Sequence, residues 1–321
     1  MKTTTRSILM LTFTLSTAAS TALAQNASTL TIMAPSSVGG GWDLLAHGVA
    51  DTLKASGREK NPAVVNVAGK AGTVGLSEFM NWKGQPGKLM VTGFVMVAGI
   101  PVNNSPYLLS RDVTPIAALV AENDVLIVPA TSRFQTVEDL IAALKANPGA
   151  VRFGGSSLGG TGHIAFAKLA KVLDLPLKTM KFVPSAGGMQ AAKALRNGEM
   201  DVVSTGYTEI DELVNNKSIR VLAVLSEDRL PGVNAPTLKE KGLDVVVANW
   251  RGIVAPGGIT ALEKSRLDMQ IHRMVRTPAW QNLLKQNKWQ DTYMNATDFK
   301  RYLQFQESTI PALLKDLEVV K

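Results

Sequence analysis

Apolar residues recur along this chain with two periods, and the points where one gives way to the other predict its elements. Leu30-Thr31-Ile32-Met33-Ala34 reads as a strand, and Leu44, Leu45, Val49 and Leu53 read as the buried stripe of the helix that follows. The pattern returns at 151–153, an apolar lead-in followed by the stripe Ile164, Phe166, Leu169 and Leu173. Further strands are predicted at 64–67, 89–94, 116–120, 125–128, 180–183, 202–205, 219–224 and 245–248, the last apolar enough to be a central strand of the first sheet. Residues 136–147 form a helix capped by Thr136 with Asp139 three positions on, and Pro148-Gly149 ends it. Helices near 260–277, 278–288 and 297–319 finish the chain, with Pro311 expected to kink the last. Strands alternating with helices over nearly the whole length predict an α/β fold with largely parallel sheets.

The strand-to-helix turns are the chemically informative segments. Ser36-Ser37-Val38-Gly39-Gly40 recurs as Ser156-Ser157-Leu158-Gly159-Gly160, and a third relative is Pro184-Ser185-Ala186-Gly187-Gly188. Gly69-Lys70-Ala71-Gly72-Thr73-Val74-Gly75 is another glycine-rich turn into a helix. Glycine lets the backbone approach a ligand, and the free N–H groups of a helix N-terminus carry partial positive charge, so such turns hold anions. A single copy serves equally well as a tight turn and nothing more. Repetition in separate halves of the chain favours a shared cleft.

The N-terminus predicts the compartment. Lys2 and Arg6 precede an apolar stretch, 8–19, too short to span a bilayer, and Ala22-Leu23-Ala24 supplies a small-x-small cleavage site. Residues 1–24 therefore read as a signal peptide. With no cysteine in 321 residues there is neither a lipid anchor nor a disulfide, so a soluble periplasmic protein is expected. The net charge of +8 is not gathered into a basic block or interleaved with aromatics, which argues against nucleic acid.

The order of elements predicts two lobes joined by crossing strands: residues 25–122 and 224–321 in the first, 123–223 in the second. Ligands of open α/β sheets bind beyond the carboxyl ends of the strands, where these turns lie. Asp43 and His163 follow the first and second turns at corresponding places and read as clamps on the loop amides, with His163 also a candidate ligand contact. Phe94 is expected to wall the pocket or pack the core. Thr205 closes a second-lobe strand with a hydroxyl free to donate, and Trp250 either stacks on the ligand or fills the gap between lobes. Arg251, placed at the carboxyl end of the 245–248 strand, either grips a second carboxylate or pairs with an acid such as Asp211. Glu209, Asp211 and Glu212 read as acids at the start of a helix, complementing its dipole.

Taken together, 35–43, 69–75, 155–163, 184–188, Pro236-Thr237-Leu238-Lys239-Glu240 and Trp250-Arg251-Gly252 resemble, in order, the periplasmic receptors of tripartite tricarboxylate transporters, also called Bug receptors. The resemblance covers essentially the whole chain after residue 24. His47 stands where that family usually has Arg. What it implies is a monomeric two-lobed clamp without cofactor or metal, which captures a small organic carboxylate, a tricarboxylate first and a dicarboxylate next, and delivers it to membrane subunits of the transporter. The ligand positions it implies are Ser36, Ser37, Val38, Gly39, Gly40, Trp42 and Asp43; Gly72, Thr73 and Phe94; Ser156, Ser157, Gly159, Gly160, Thr161 and His163; Ser185, Gly187 and Thr205; and Trp250 with Arg251.

An enzyme is the alternative from another class. Gly155-Ser156-Ser157-Leu158-Gly159 matches the Gly-x-Ser-x-Gly nucleophile elbow, with Asp201 and His272 following in hydrolase order, which would make the protein a periplasmic serine esterase. His272 lies four residues after Asp268 on an amphipathic helix, where an ion pair explains it equally well. Gly160-Thr161-Gly162-His163-Ile164-Ala165 matches a dinucleotide fingerprint, but Val183-Pro184 stands where its ribose-binding acid belongs. Three histidines without metal-ligand spacing offer no metal site.

Overall fold

A computed structural model describes residues 30–156, 158–185 and 187–320. The predicted signal peptide and Ser157 lie outside the described residues. The chain opens as β1 (Thr31–Ala34), α1 (Gly41–Ala55), β2 (Ala63–Asn66), α2 (Thr73–Phe79), β3 (Lys88–Gly93), α3 (Phe94–Val102) and β4 (Val113–Pro129). It continues through α4 (Val137–Ala146), β5 (Arg152–Gly154), α5 (Thr161–Val172), β6 (Lys181–Val183), α6 (Gly188–Arg196), β7 (Val202–Gly206), α7 (Tyr207–Asn215) and β8 (Ile219–Val224). It closes with β9 (Ala248–Pro256), α8 (Ala261–Met274), α9 (Pro278–Gln286), β10 (Gln290–Met294) and α10 (Ala296–Asp316).

The architecture is the expected α/β clamp, and β4 is its spine. Residues 113–123 of β4 pair antiparallel with β9, and β10 also joins this half. Residues 124–129 of the same strand pair with β7 and β8. Beyond β9 the first lobe continues as β3, β1 and β2, with β1 parallel to both of its neighbours. Beyond β7 the second lobe continues as the parallel strands β5 and β6. The passage between lobes therefore runs inside one strand, at the buried polar triplet Glu122-Asn123-Asp124. A large apolar core fills the first lobe, and two smaller ones cover the faces of the second sheet.

Three expectations are corrected. Residues 245–247 are not a strand: Val245 and Val247 are buried in the second lobe's core, and the strand begins at Ala248. The Asn249-Trp250-Arg251-Gly252 run thus opens a strand instead of ending one. Strand β3 stops at Gly93, and Phe94 starts α3, a helix apolar on every side because it is enclosed by the core. Leu44 is 48% exposed, so the buried face of α1 is carried by Trp42, Leu45, Ala46, Val49 and Leu53. Pro311 lies within α10, which runs from Ala296 to Asp316. The capping box of Thr136 and Asp139 on α4 forms as read.

Candidate functional cleft

How the helices begin separates one end of the fold from the rest. Helices α4, α8, α9 and α10 start from Thr136, Thr260, Thr277 and Asn295, whose side chains accept first-turn amides. Helices α1, α2, α3, α5, α6 and α7 start from Gly40, Gly72, Gly93, Gly160, Gly187 and Gly206, none of which has a side-chain cap. Each of these six follows the carboxyl end of a strand. The cap residue itself thus takes no first-turn amide at the place where an open α/β sheet takes its ligand, although in α5 the Gly162 amide donates to Ser156 Oγ.

The two Ser-Ser-x-Gly-Gly turns are built alike. Gly39 and Gly159 sit in the left-handed region at φ +79° and +78°, which favours glycine. The Gly39 amide donates to Asp43 Oδ2 at 2.7 Å, and the Gly159 amide donates to His163 Nδ1 at 3.0 Å. Asp43 Oδ1 also accepts from Asn66 Nδ2 at 2.7 Å. Burial pushes the Asp43 carboxyl up, but these bonds and the nearby His47 outweigh it and hold it below the usual carboxylate range. His163 is buried, stacked on Phe182 with ring centroids 4.3 Å apart, and burial pushes its imidazole down to about 4. Accepting at Nδ1 fixes the neutral tautomer with its proton on Nε2.

The other predicted site residues divide into groups. Ser36 accepts from Asn66 Nδ2 through its carbonyl at 3.2 Å, while its buried hydroxyl has no partner among the described residues. Ser37 and Val38 are exposed at the apex of the first turn. Ser156 accepts from the Gly162 amide through Oγ at 3.1 Å, and its carbonyl accepts from the Ser185 amide at 3.3 Å, so the second and third turns are tied together. The Thr161 hydroxyl faces the Asp124 carboxyl group and favours its charged form. Thr205 is buried beside Gly188, where its hydroxyl leaves no room for a Cβ. The Thr73 hydroxyl is spent on the Lys70 carbonyl at 2.8 Å. Trp42 is buried with its indole over Gly72, where a Cβ would lie 2.5 Å from the ring.

Two predicted contacts lie apart. Phe94 lines a cavity of about 640 Å³ between α5 and α10. Trp250 turns toward α10 and meets Phe299 and Tyr302 edge-on, at 5.7 and 5.4 Å between centroids. Arg251, the next residue of β9, points to the opposite face as strand geometry requires. There it bonds Glu122 Oε2 through Nη2 at 2.6 Å, with both side chains buried, and Glu122 Oε1 accepts from Trp289 Nε1 at 2.9 Å. The guanidinium lies against Gly41, where a Cβ would be 2.6 Å from Nη2. The predicted partner Asp211 is instead paired with Lys288.

Glu122 and Arg251 floor a cavity of about 530 Å³ between the lobes, lined also by Gly39, Gly41 and Leu44, by Glu209 and Asp211 of α7, and by Lys288 and Trp289. Sequence reasoning missed Glu122 because it sits in a polar triplet that reads as a loop. Glu209 was noticed only as a partner of its own helix dipole. Close by, Asp124 accepts from Ser204 Oγ at 3.1 Å, and burial pushes its carboxyl up to about 7, with Glu209 and Glu122 adding to the shift.

Ser157 of the hydrolase constellation lies outside the described residues, and its other two members have different partners. Asp201 is paired with Arg152 at 2.8 Å, and His272 Nδ1 lies 3.1 Å from the Tyr293 hydroxyl. Among the described residues no cluster of His, Asp or Glu is placed to hold a metal ion, and no helix is long and apolar enough to cross a membrane.

A family profile described as "Tripartite tricarboxylate transporter family receptor" matches residues 49–319. The chain belongs to that receptor family. A curated relative, the UPF0065 protein in the tcbD-tcbE intergenic region of Pseudomonas sp. (strain P51), is 32% identical over 186 residues, 56% of this receptor and 54% of that protein. The receptor thus spans about half the length of that relative. Among solved structures, a ligand-free TctC solute-binding protein from Polaromonas has a TM-score of 0.76 at 24% identity, covering 89% of this receptor and 98% of that chain. MatC from Rhodopseudomonas palustris, solved with bound malate, has a TM-score of 0.71 at 18% identity, covering 89% and 98%. Both likenesses establish the fold of the receptor.

Proposed function

We propose that this receptor works in the periplasm, capturing one small organic carboxylate between its lobes and handing it unchanged to the membrane subunits of a tripartite transporter. The observation that carries the reading is the set of glycine-started helices at the carboxyl ends of the parallel strands β1, β2, β3, β5, β6 and β7, against the Thr- and Asn-capped helices, which follow the antiparallel strands β4, β9 and β10 or another helix. The helices that open at Gly40 and Gly160 bring first-turn amides from both lobes to one carboxylate compound, while Asp43 and His163 take the Gly39 and Gly159 amides and keep each turn in shape. Malate in a structural relative of the same fold agrees with a carboxylate cargo.

A thermal-shift screen of the purified protein against mono-, di- and tricarboxylates tests this. A carboxylate at a hundred times its Kd raises stability by about 2.7 kcal/mol. Calorimetry should then give one site per chain, and mass spectrometry should recover the compound intact. Turnover of an ester that disappears in Ser157→Ala would assign the protein to the hydrolases instead.

A further inference from the structure

The third glycine turn already holds a carboxylate, and it belongs to the chain. Glu209 stands in the first turn of α7, yet its side chain reaches across to α6, where its carboxylate lies against Gly188 and is stabilised by the amides of Gly188 and Met189. These are the first two residues of α6, the ones a bound anion would use. Position 188 must be glycine for this, because a Cβ there would collide with the Glu209 carboxylate and the Thr205 hydroxyl. Glu209 also borders the cavity between the lobes, together with Gly39, Gly41 and Arg251.

The charges around that cavity sharpen the point. Of the two cations on its wall, Lys288 is paired with Asp211, and Arg251 is paired with Glu122 through Nη2 while its buried Nη1 has no partner among the described residues. Glu122 repels the Glu209 carboxylate, and together with burial this outweighs the two amides and the attraction of Arg251, so the carboxyl titrates above its ordinary range. A further anion brought to α6 would have to displace Glu209 and would meet Glu122 as well.

We propose that Glu209 is a built-in occupant of the third turn, which restricts the cargo to compounds with at most two carboxylates. The proposal rests on the cleft being a carboxylate site, as argued above. Selectivity of this kind comes from a repulsive group placed against the competitor as much as from contacts to the cargo.

Glutarate and tricarballylate make a matched test, because they share a carbon chain and differ by one carboxylate. Glu209→Ala vacates the turn, so the ratio of the tricarballylate Kd to the glutarate Kd should fall by about tenfold or more relative to wild type. Independently of any cargo, acetate at constant ionic strength should raise the Tm of Glu209→Ala saturably. The rise should exceed that of wild type and of Glu209→Gln, in which the turn stays filled. In the wild type, the Gly188 and Met189 amide resonances should titrate together with one carboxyl group, and this titration should vanish in Glu209→Gln, which covers the case of an unstable alanine variant. No acetate effect on a folded Glu209→Ala, or amides that ignore the carboxyl titration, would overturn the occupancy. An unchanged Kd ratio would overturn the selectivity. If acetate rescues Glu209→Ala but neither acid binds any form, the carboxylate-cargo reading fails while Glu209 keeps its place in the turn.

Discussion

The Asp43 carboxylate and the His163 imidazole do the same work in opposite lobes: each accepts the amide of the glycine four residues before it, at 2.7 and 3.0 Å. The surroundings differ, and so does the chemistry. Asp43 keeps its charge because Asn66 and Gly39 bond it and His47 is near. His163 lies among Phe166 and Phe182 and stays neutral. One clamp is a charge held by hydrogen bonds, and the other is an uncharged acceptor held by packing.

That difference predicts an acid weakness in the second lobe. The folded His163 titrates near 4, below the value of about 6.5 for an unfolded chain. Between those values the unfolded state binds a proton that the folded state does not, so stability falls as pH drops through the window, by about 3 kcal/mol at its lower end. His163→Gln retains an acceptor and removes the titration, so its denaturation midpoint should change less between pH 6.5 and 4.5 than that of wild type. Equal slopes would mean that His163 is protonated without cost.

Asp124 predicts the opposite slope. Burial pushes its folded carboxyl up to about 7, well above the ordinary 3.8 of an aspartate, so the folded state binds the extra proton in between and stability falls as pH rises. Asp124→Asn keeps acceptors for Thr161 and Ser204 and should remove this slope. Because Thr161 opens the helix after the second turn, an anion bound there favours protonated Asp124. Cargo binding near pH 7 should therefore take up protons, seen as a dependence of the calorimetric heat on the buffer's ionisation enthalpy. The dependence should shrink in Asp124→Asn.

Gly39 isolates backbone geometry from crowding. No atom lies within 4 Å of a Cβ built there, yet φ is +79°. Gly39→Ala should thus cost about 1–2 kcal/mol through torsion alone, and Gly39→Asn less, since Asn tolerates the left-handed region. Thermal denaturation of the two variants checks the order. If Ala and Asn cost the same, the turn relaxes to another conformation.

Much of this was legible before the structure, wherever local chemistry decides the outcome. The two turns could be found because strand, glycine pair and apolar stripe are contiguous, and the roles of Asp43 and His163 followed from their spacing to the glycines. Tertiary context hid the rest. Glu122-Asn123-Asp124 reads as a loop, yet it lies inside the 17-residue strand β4 because partners on other elements, Arg251 and Trp289 for Glu122 and Ser204 for Asp124, allow its side chains to be buried. Val245 and Val247 read as a strand but are irregular chain buried by the second lobe. The enclosed helix α3 has no polar face to reveal a helical period. Glu209 is visible as an acid, but no local pattern says that it bonds a different helix.

Arg251 yields the final prediction. With Nη2 on Glu122 and the guanidinium against Gly41 and Trp289, it holds the floor of the cavity, while its buried Nη1 has no partner among the described residues. Removing one member of a buried ion pair strands the other charge, at a cost of about 3–5 kcal/mol, whereas replacing both by apolar residues is far less damaging. Arg251→Met and Glu122→Met should each lower stability by amounts in that range, and the double variant should recover much of the loss. Arg251→Lys should weaken mono- and dicarboxylates alike, because what changes is the floor beneath Gly41. A selective loss of dicarboxylate binding, with stability intact, would show instead that the guanidinium leaves Glu122 to grip the second carboxylate.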